Sequence, residues 1–155
     1  MATYFNATIK NLIWRLRKYR LILDEELRGE ILEHSDVIID MIVNEQLYEQ
    51  GINGMGVEIM SYRPYTRYTV KIKRKKGQPF NRVTLRDTGD FYNSLHVKFD
   101  DNGFYVTSTD EKAPELLAKY GKTIFRLTDE NLGILLDLYI KPALRERFKH
   151  YIMNG

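Results

Sequence analysis

The sequence predicts an α+β fold, with a long N-terminal helical region and a C-terminal helix packed on an antiparallel β-sheet that carries an extended basic hairpin or loop. Three observations predict it. Apolar residues recur at spacings of three and four through the first fifty positions, period-two segments follow a glycine-rich stop, and a second helical stripe closes the chain. A chain of 155 residues, 43% of them hydrophobic, is long enough for one domain with a real core. We read residues 1–155 as that domain: a helical region at 1–50, a β-rich region at 57–109, and C-terminal helices at 111–155.

In the first region Leu12, Leu16, Tyr19, Leu23, Leu27, Ile31, His34, Ile38 and Met41 form one stripe of a helix. No proline interrupts it, and Gly29 costs only ~1 kcal/mol in a helix interior. Basic residues before Leu23 and the run Asp24-Glu25-Glu26 after it match the preferences of a helix end and a helix start. Two helices with a break near Leu23–Asp24 are therefore favoured over one long helix, which the stripe also permits. The stretch Gln50-Gly51-Ile52-Asn53-Gly54-Met55-Gly56 is a stop signal. Val57, Ile59 and the run Tyr68-Thr69-Val70-Lys71-Ile72-Lys73 then alternate as a half-buried strand does, with Pro64 in a loop between them. Gly77 and Pro79 punctuate a polar connection, and Val83-Thr84-Leu85 reads as a strand end. Leu95, Val97 and Phe99 share one face of a strand that turns at Asp100–Gly103 and returns through Phe104–Thr107. Pro114 starts a short helix that Gly121 ends. Thr128 to Asn131 opens the last helix, which carries Leu132, Leu135, Leu136, Tyr139, Ile140, Leu144 and Phe148 and is kinked at Pro142.

Cysteine is absent, which excludes disulfides, CxxC redox chemistry and thiolate metal sites. The start of the chain lacks the order of a secretory signal, and no apolar run approaches a membrane span, so no membrane partner is expected. His34, His96 and His150 have no partners at ligand spacing; His34 reads as a hydrogen-bonded core histidine and His96 as solvated. No nucleophile elbow, phosphate loop or dinucleotide fingerprint follows a strand. We therefore expect no enzyme and no cofactor.

Charge is segregated along the chain. Met1 to Leu23 holds Lys10, Arg15, Arg17, Lys18 and Arg20 and no acid; Asp24 to Gln50 holds nine acids against Arg28; Ile59 to Arg86 holds nine basic residues and no acid. Such blocks suit a chain that meets copies of itself head to tail, although each also reads as a solvated face. Between Tyr62 and Lys76, Tyr62, Tyr65 and Tyr68 interleave with Arg63, Arg67, Lys71, Lys73, Arg74, Lys75 and Lys76, a pattern that also fits a stand-alone nucleic-acid-binding protein. Lysines at a hairpin tip equally keep an exposed edge unpaired.

The stretch Leu85-Arg86-Asp87-Thr88-Gly89-Asp90-Phe91-Tyr92-Asn93-Ser94-Leu95 resembles the D-T-G-x-L-x-x-S signature of the tailed-bacteriophage virion morphogenesis and tail-completion proteins, which form rings in the neck between head and tail. The matching positions are Asp87, Thr88, Gly89, Phe91 (where the family more often has leucine) and Ser94. The segment from Gly56 to Gly89 is similar to versions from phages of gut Bacteroidales hosts, and the resemblance runs from about Val57 to Phe148, apart from an enlarged basic insertion. It implies a virion protein made in the host bacterial cytoplasm, closing as a sixfold or twelvefold ring around the DNA channel beside portal, neck or tail proteins. In our reading of the motif, Asp87 or Thr88 caps a short helix, Gly89 supplies an unusual backbone angle, and Phe91, Tyr92 and Leu95 fasten the helix to the sheet. Ser94 bonds backbone at the helix-to-strand transition, and Arg86 is exposed toward a neighbouring copy.

Overall fold

A computed structural model describes residues 2–154, with side chains described from Ile9 onward. The fold is α+β, mostly helical, with one two-stranded antiparallel sheet. The chain divides into two compact units, Met1–His34 with Ile134–Gly155, and Ser35–Gly133.

The first unit pairs helix α1 (Ala2–Glu33) with the C-terminal helical segment, which is π-helical over Leu135–Ile140 and continues as α8 (Lys141–Asn154). Tyr19 is the buried wedge between them, edge-on to Phe148 at 5.0 Å and tilted against Tyr151 at 5.3 Å. Arg15 donates to the carbonyl of Ile152, and His34 lies edge-on to Tyr139, so the two segments run antiparallel. Glu26, Glu30 and Glu33, spaced to share one helical face, converge on Arg147. Glu30 is buried there, and its partner supplies the compensation that a buried carboxylate requires.

The expected break near Leu23–Asp24 does not occur. The apolar stripe continues across that point, Asp24 pairs with Arg28 at 3.0 Å within the helix, and Glu26 meets Arg147 rather than starting a helix. The π-helical segment stands directly before Pro142, whose missing N–H and ring oppose regular α hydrogen bonding to the preceding turn.

The second unit starts with α2 (Ser35–Asp40), continued by a π-helical segment, Met41–Gln50, that Gly51 ends in the left-handed region at φ +68°. Two short helices follow, α3 (Ile59–Tyr62) and α4 (Arg67–Lys75), then α5 (Asp90–Asn93). Strands β1 (Leu95–Asp100) and β2 (Gly103–Ser108) pair with Leu95 opposite Ser108 and Asp100 opposite Gly103, so Asp101 and Asn102 form the turn. Helix α6 (Ala113–Tyr120) carries Pro114 in its first turn and stops at Gly121; a 3₁₀ turn (Lys122–Phe125) and α7 (Asp129–Ile134) complete the elements.

The basic segment is a helix, not the expected strand or hairpin. Thr66 caps it, accepting from the N–H of Thr69 at 3.1 Å. The alternation of Val70 and Ile72 mimics a strand, yet Thr69, Val70 and Lys73 face inward while Lys71 and Ile72 are exposed, the three-and-four spacing of a helix rather than the alternation of a strand. Val83-Thr84-Leu85 likewise forms no strand, and Ile59 opens α3 rather than continuing one.

Gln46 braces this unit. Its side chain is 0% exposed; its amide donates to the carbonyl of Arg126 at 3.0 Å and accepts from the N–H of Thr128 at 2.8 Å and the amide of Asn131 at 3.2 Å. Beside it the N–H of Gly54 reaches the carbonyl of Thr123 at 2.8 Å, and a Cβ at Gly54 would stand 2.3 Å from the carbonyl oxygen of Arg126. Replacing Gln46 by Leu strands an acceptor, the Arg126 carbonyl, and two donors, the Thr128 N–H and the Asn131 amide, in the interior, and is expected to cost about 3 kcal/mol in urea denaturation. A loss under about 1 kcal/mol would show that the brace is not needed.

Candidate functional site: the Asp-Thr-Gly turn and the cationic helix

The turn from Thr84 to Gly89 is held from every side. Buried Thr84 donates its N–H to the hydroxyl of Tyr65 at 3.0 Å, and its carbonyl accepts from the hydroxyl of Tyr92. Burial pushes the Tyr92 phenol well above its ordinary range, so it stays a neutral donor. Leu85 takes a left-handed φ of +54°, a conformation that costs a branched residue about 1–2 kcal/mol and persists because its neighbours are fixed. Gly89 stands at φ +103°, where glycine carries no such penalty, and opens α5.

The motif residues take different roles from those assigned by sequence. Asp87 does not cap α5; its carboxylate pairs with Lys76 at 2.5 Å and its carbonyl accepts from Gln78 at 2.9 Å. Thr88 stands nearer the cap position, accepting from the N–H of Asp90 at 3.4 Å and donating its hydroxyl to the Asp90 carboxylate at 2.6 Å. Phe91 is buried and stacks on Phe125 at 5.8 Å. Ser94 donates to the carbonyl of Phe91 at 2.6 Å and meets Ser108 across the hairpin at 2.6 Å. Its carbonyl accepts from the N–H of Thr109 at 3.2 Å, so the serine joins α5 to both strands.

Lys73 is the link between the turn and α4. Only 7% exposed, it donates its ammonium to the carbonyl of Arg86 at 2.9 Å and to Gln78 at 3.3 Å, and sits 5.2 Å from the ring centre of Tyr65. A buried ammonium needs such carbonyl and π partners, and they are supplied by the residues before the motif. The turn and the basic segment therefore form one unit, a connection the sequence did not announce.

This geometry sorts the basic candidates into two groups. Lys73 and Lys76 hold the turn. Arg86 lies over Tyr48 at 5.1 Å and near Tyr92 at 5.9 Å, Arg63 donates to the carbonyl of Lys119 at 3.0 Å, and Arg74 rests over Phe80 at 4.5 Å. Arg67, Lys71 and Lys75 are exposed, with no ion pair among the described residues. The tyrosines divide too. Tyr62 donates to the carbonyl of Tyr120 at 3.1 Å and Tyr65 serves Thr84, while Tyr68 is 73% exposed. Sequence reasoning named Lys73 as a surface cation and overlooked Gln46 and Gln78. Its available signal was Thr66 followed three residues later by Thr69, a cap that argues for a helix.

His34 donates its Nδ1–H to the carbonyl of Glu30 at 2.9 Å, and His96 donates its Nδ1–H to the carbonyl of Ser94 at 3.2 Å. Among the described residues no group of three metal-ligating side chains comes together, and no helix is long and apolar enough to cross a membrane.

Replacing Lys73 by Met leaves the Arg86 carbonyl without its charged donor, and a loss of about 2 kcal/mol is expected in urea denaturation. Lys71→Met, on the exposed side, should change stability by less than about 0.5 kcal/mol. The Lys76 hydrogen bond holds the Asp87 carboxyl below its ordinary value near 3.8. A depressed carboxyl stabilises the fold above its unfolded value and loses that contribution as pH falls through the folded one. The pair is solvent-exposed, so its worth is under about 1 kcal/mol. Asp87→Asn should therefore be less stable than the parent at pH 7, with the difference shrinking as pH falls below about 4; a gap that does not shrink on acidification would contradict this role.

Comparison with family models, with curated proteins and with solved structures finds no significant match to this chain.

Proposed function

We propose that the chain is a non-enzymatic structural protein of a tailed-phage virion, a building block of a closed ring in the neck, around the channel through which genomic DNA passes. The observation that carries this reading is the Asp87-Thr88-Gly89…Phe91…Ser94 turn, whose sequence resembles the signature of tail-completion proteins. Its side chains are spent on fixing direction: Asp87 on α4, Phe91 on the 3₁₀ turn, Ser94 on both strands. A ring demands this kind of joint, because a small angular error in each subunit accumulates until closure fails.

Closure through heterologous contacts needs two unlike, complementary patches on each copy. Charge supports a pairing of the basic first part of α1 with the acidic stretch that follows it in another copy. Apolar surface supports it as well. Ile9, Leu12, Ile13 and Leu16, spaced along one side of α1, are each between 39% and 42% exposed. A row of half-open aliphatic side chains among Lys10, Arg17 and Arg20 fits a surface that another subunit covers. The sheet is small and supplies no extended face for assembly, which leaves helices as the contacting elements.

Two measurements test the reading. The protein should be found in purified particles and imaged at the head–tail junction; its absence from particles would end the proposal. In solution, light scattering should report assemblies several times the 18.4 kDa chain mass. Reversing charge at Lys10, Arg17 and Arg20 together should shift the population toward single chains, as should raised salt. Unchanged assembly in that variant would remove α1 from the interface.

A further inference from the structure

Helix α4 presents a feature that ring closure does not call for. At 100° per residue, Arg67, Lys71, Arg74 and Lys75 fall within one arc of about 100°. All four are exposed, while Thr69, Val70 and Lys73 occupy the opposite side, turned into the second unit. Tyr68, 73% exposed, borders the stripe next to Lys75. No acid occurs between Ile59 and Arg86, and among the described residues none forms an ion pair with a residue of the stripe. Arg74 is steadied over Phe80, and α4 itself is pinned by Lys73 and Lys76 to the Asp87 turn. The cations therefore stand on a fixed scaffold rather than a waving loop.

We propose that this face of α4 binds the phosphodiester backbone of nucleic acid, with Arg67, Lys71, Arg74 and Lys75 as phosphate contacts and Tyr68 as a stacking surface for an unpaired base. A nine-residue helix spans about 13 Å. Over that length duplex DNA carries roughly seven phosphate charges, enough to meet every cation of the stripe. A helix that already holds their backbone in place spares the ordering cost a loop would pay on binding. An acidic protein surface is the less fitting partner. A protein interface has a packed apolar core, and the only aliphatic side chain at this face, Ile72, lies at its fringe with 36% exposure. The exposed tyrosine beside the cations is the arrangement by which single-stranded sites hold bases.

Fluorescence anisotropy with the full chain tests this, using a labelled 20-base-pair duplex, a single strand of the same length, and poly-glutamate as a competitor. Both DNA forms should bind at 50 mM salt, and contact with four phosphates should weaken duplex binding roughly 150-fold at 200 mM. Arg67→Gln and Lys71→Gln should each lower the salt slope by about 1, while Lys98→Gln, exposed on β1, should leave it unchanged. Tyr68→Ala should weaken the single strand roughly tenfold and the duplex little. The proposal is overturned by absence of binding at 50 mM salt, by a slope that the α4 variants do not alter, or by poly-glutamate competing as well as DNA. It is equally overturned if those variants change the mass of the assembly and leave DNA affinity intact, which would make α4 a contact between copies. Each substitution is at an exposed position, and an unchanged melting curve for each variant keeps these outcomes readable.

Discussion

The arrangement of the second unit depends on one buried ammonium. Lys73 lies inside because the carbonyl of Arg86, the amide oxygen of Gln78 and the ring of Tyr65 together replace the water it gives up. That requirement ties a helix to a turn thirteen residues away in sequence. Once Lys73 is inside, the helical period sends Arg67, Lys71, Arg74 and Lys75 outward together. The same constraint draws Lys76 to Asp87 and holds the turn against strain at Leu85. A single desolvated charge thus decides both which side of α4 faces solvent and how firmly the signature turn is seated.

The signature and the basic segment, which look like separate features in the sequence, therefore form one structure. Hydrogen bonds of Thr84, Asp87 and Ser94 tie the chain between α4 and β1 to Tyr65 before α4, to Lys76 at its end and to Ser108 on β2. Gln46 does the corresponding work at the other end of the unit, where its amide substitutes for regular backbone pairing. With only two strands to share ladder hydrogen bonds, side-chain amides, hydroxyls and one ammonium take over part of the task that a larger sheet would perform.

Much of the fold was legible because its signals are local. The long apolar stripe, Gly51 after a helix, Pro114 at a helix start, Gly121 at its end, and the hairpin between Leu95 and Ser108 each follow from residues within a few positions of one another. The failures involve distant partners. Whether Val70 and Ile72 belong to a strand or a helix depends on where Lys73 finds a carbonyl, and that carbonyl belongs to Arg86. The acid Glu26, which by its neighbours looks like a helix start, instead meets Arg147, more than a hundred residues away. Asp87 read as a cap because caps are local, whereas Lys76 reaches it across a loop. Among the basic candidates, sequence supplied the residue types but not the division between those that hold the turn and those left to meet a ligand.

The position of Trp14 carries a practical consequence. It is the sole tryptophan of the chain, 57% exposed on α1, with the ammonium of Lys18 lying 5.6 Å from its ring centre. Indole emission is sensitive to hydration, and here every photon collected comes from the stretch of helix where half-open aliphatic residues cluster. The molecule therefore carries its own dye on that stretch of α1, about 150° around the helix from the aliphatic row, and a blue shift on concentration would register a neighbour that reaches beyond the row, without any label being attached.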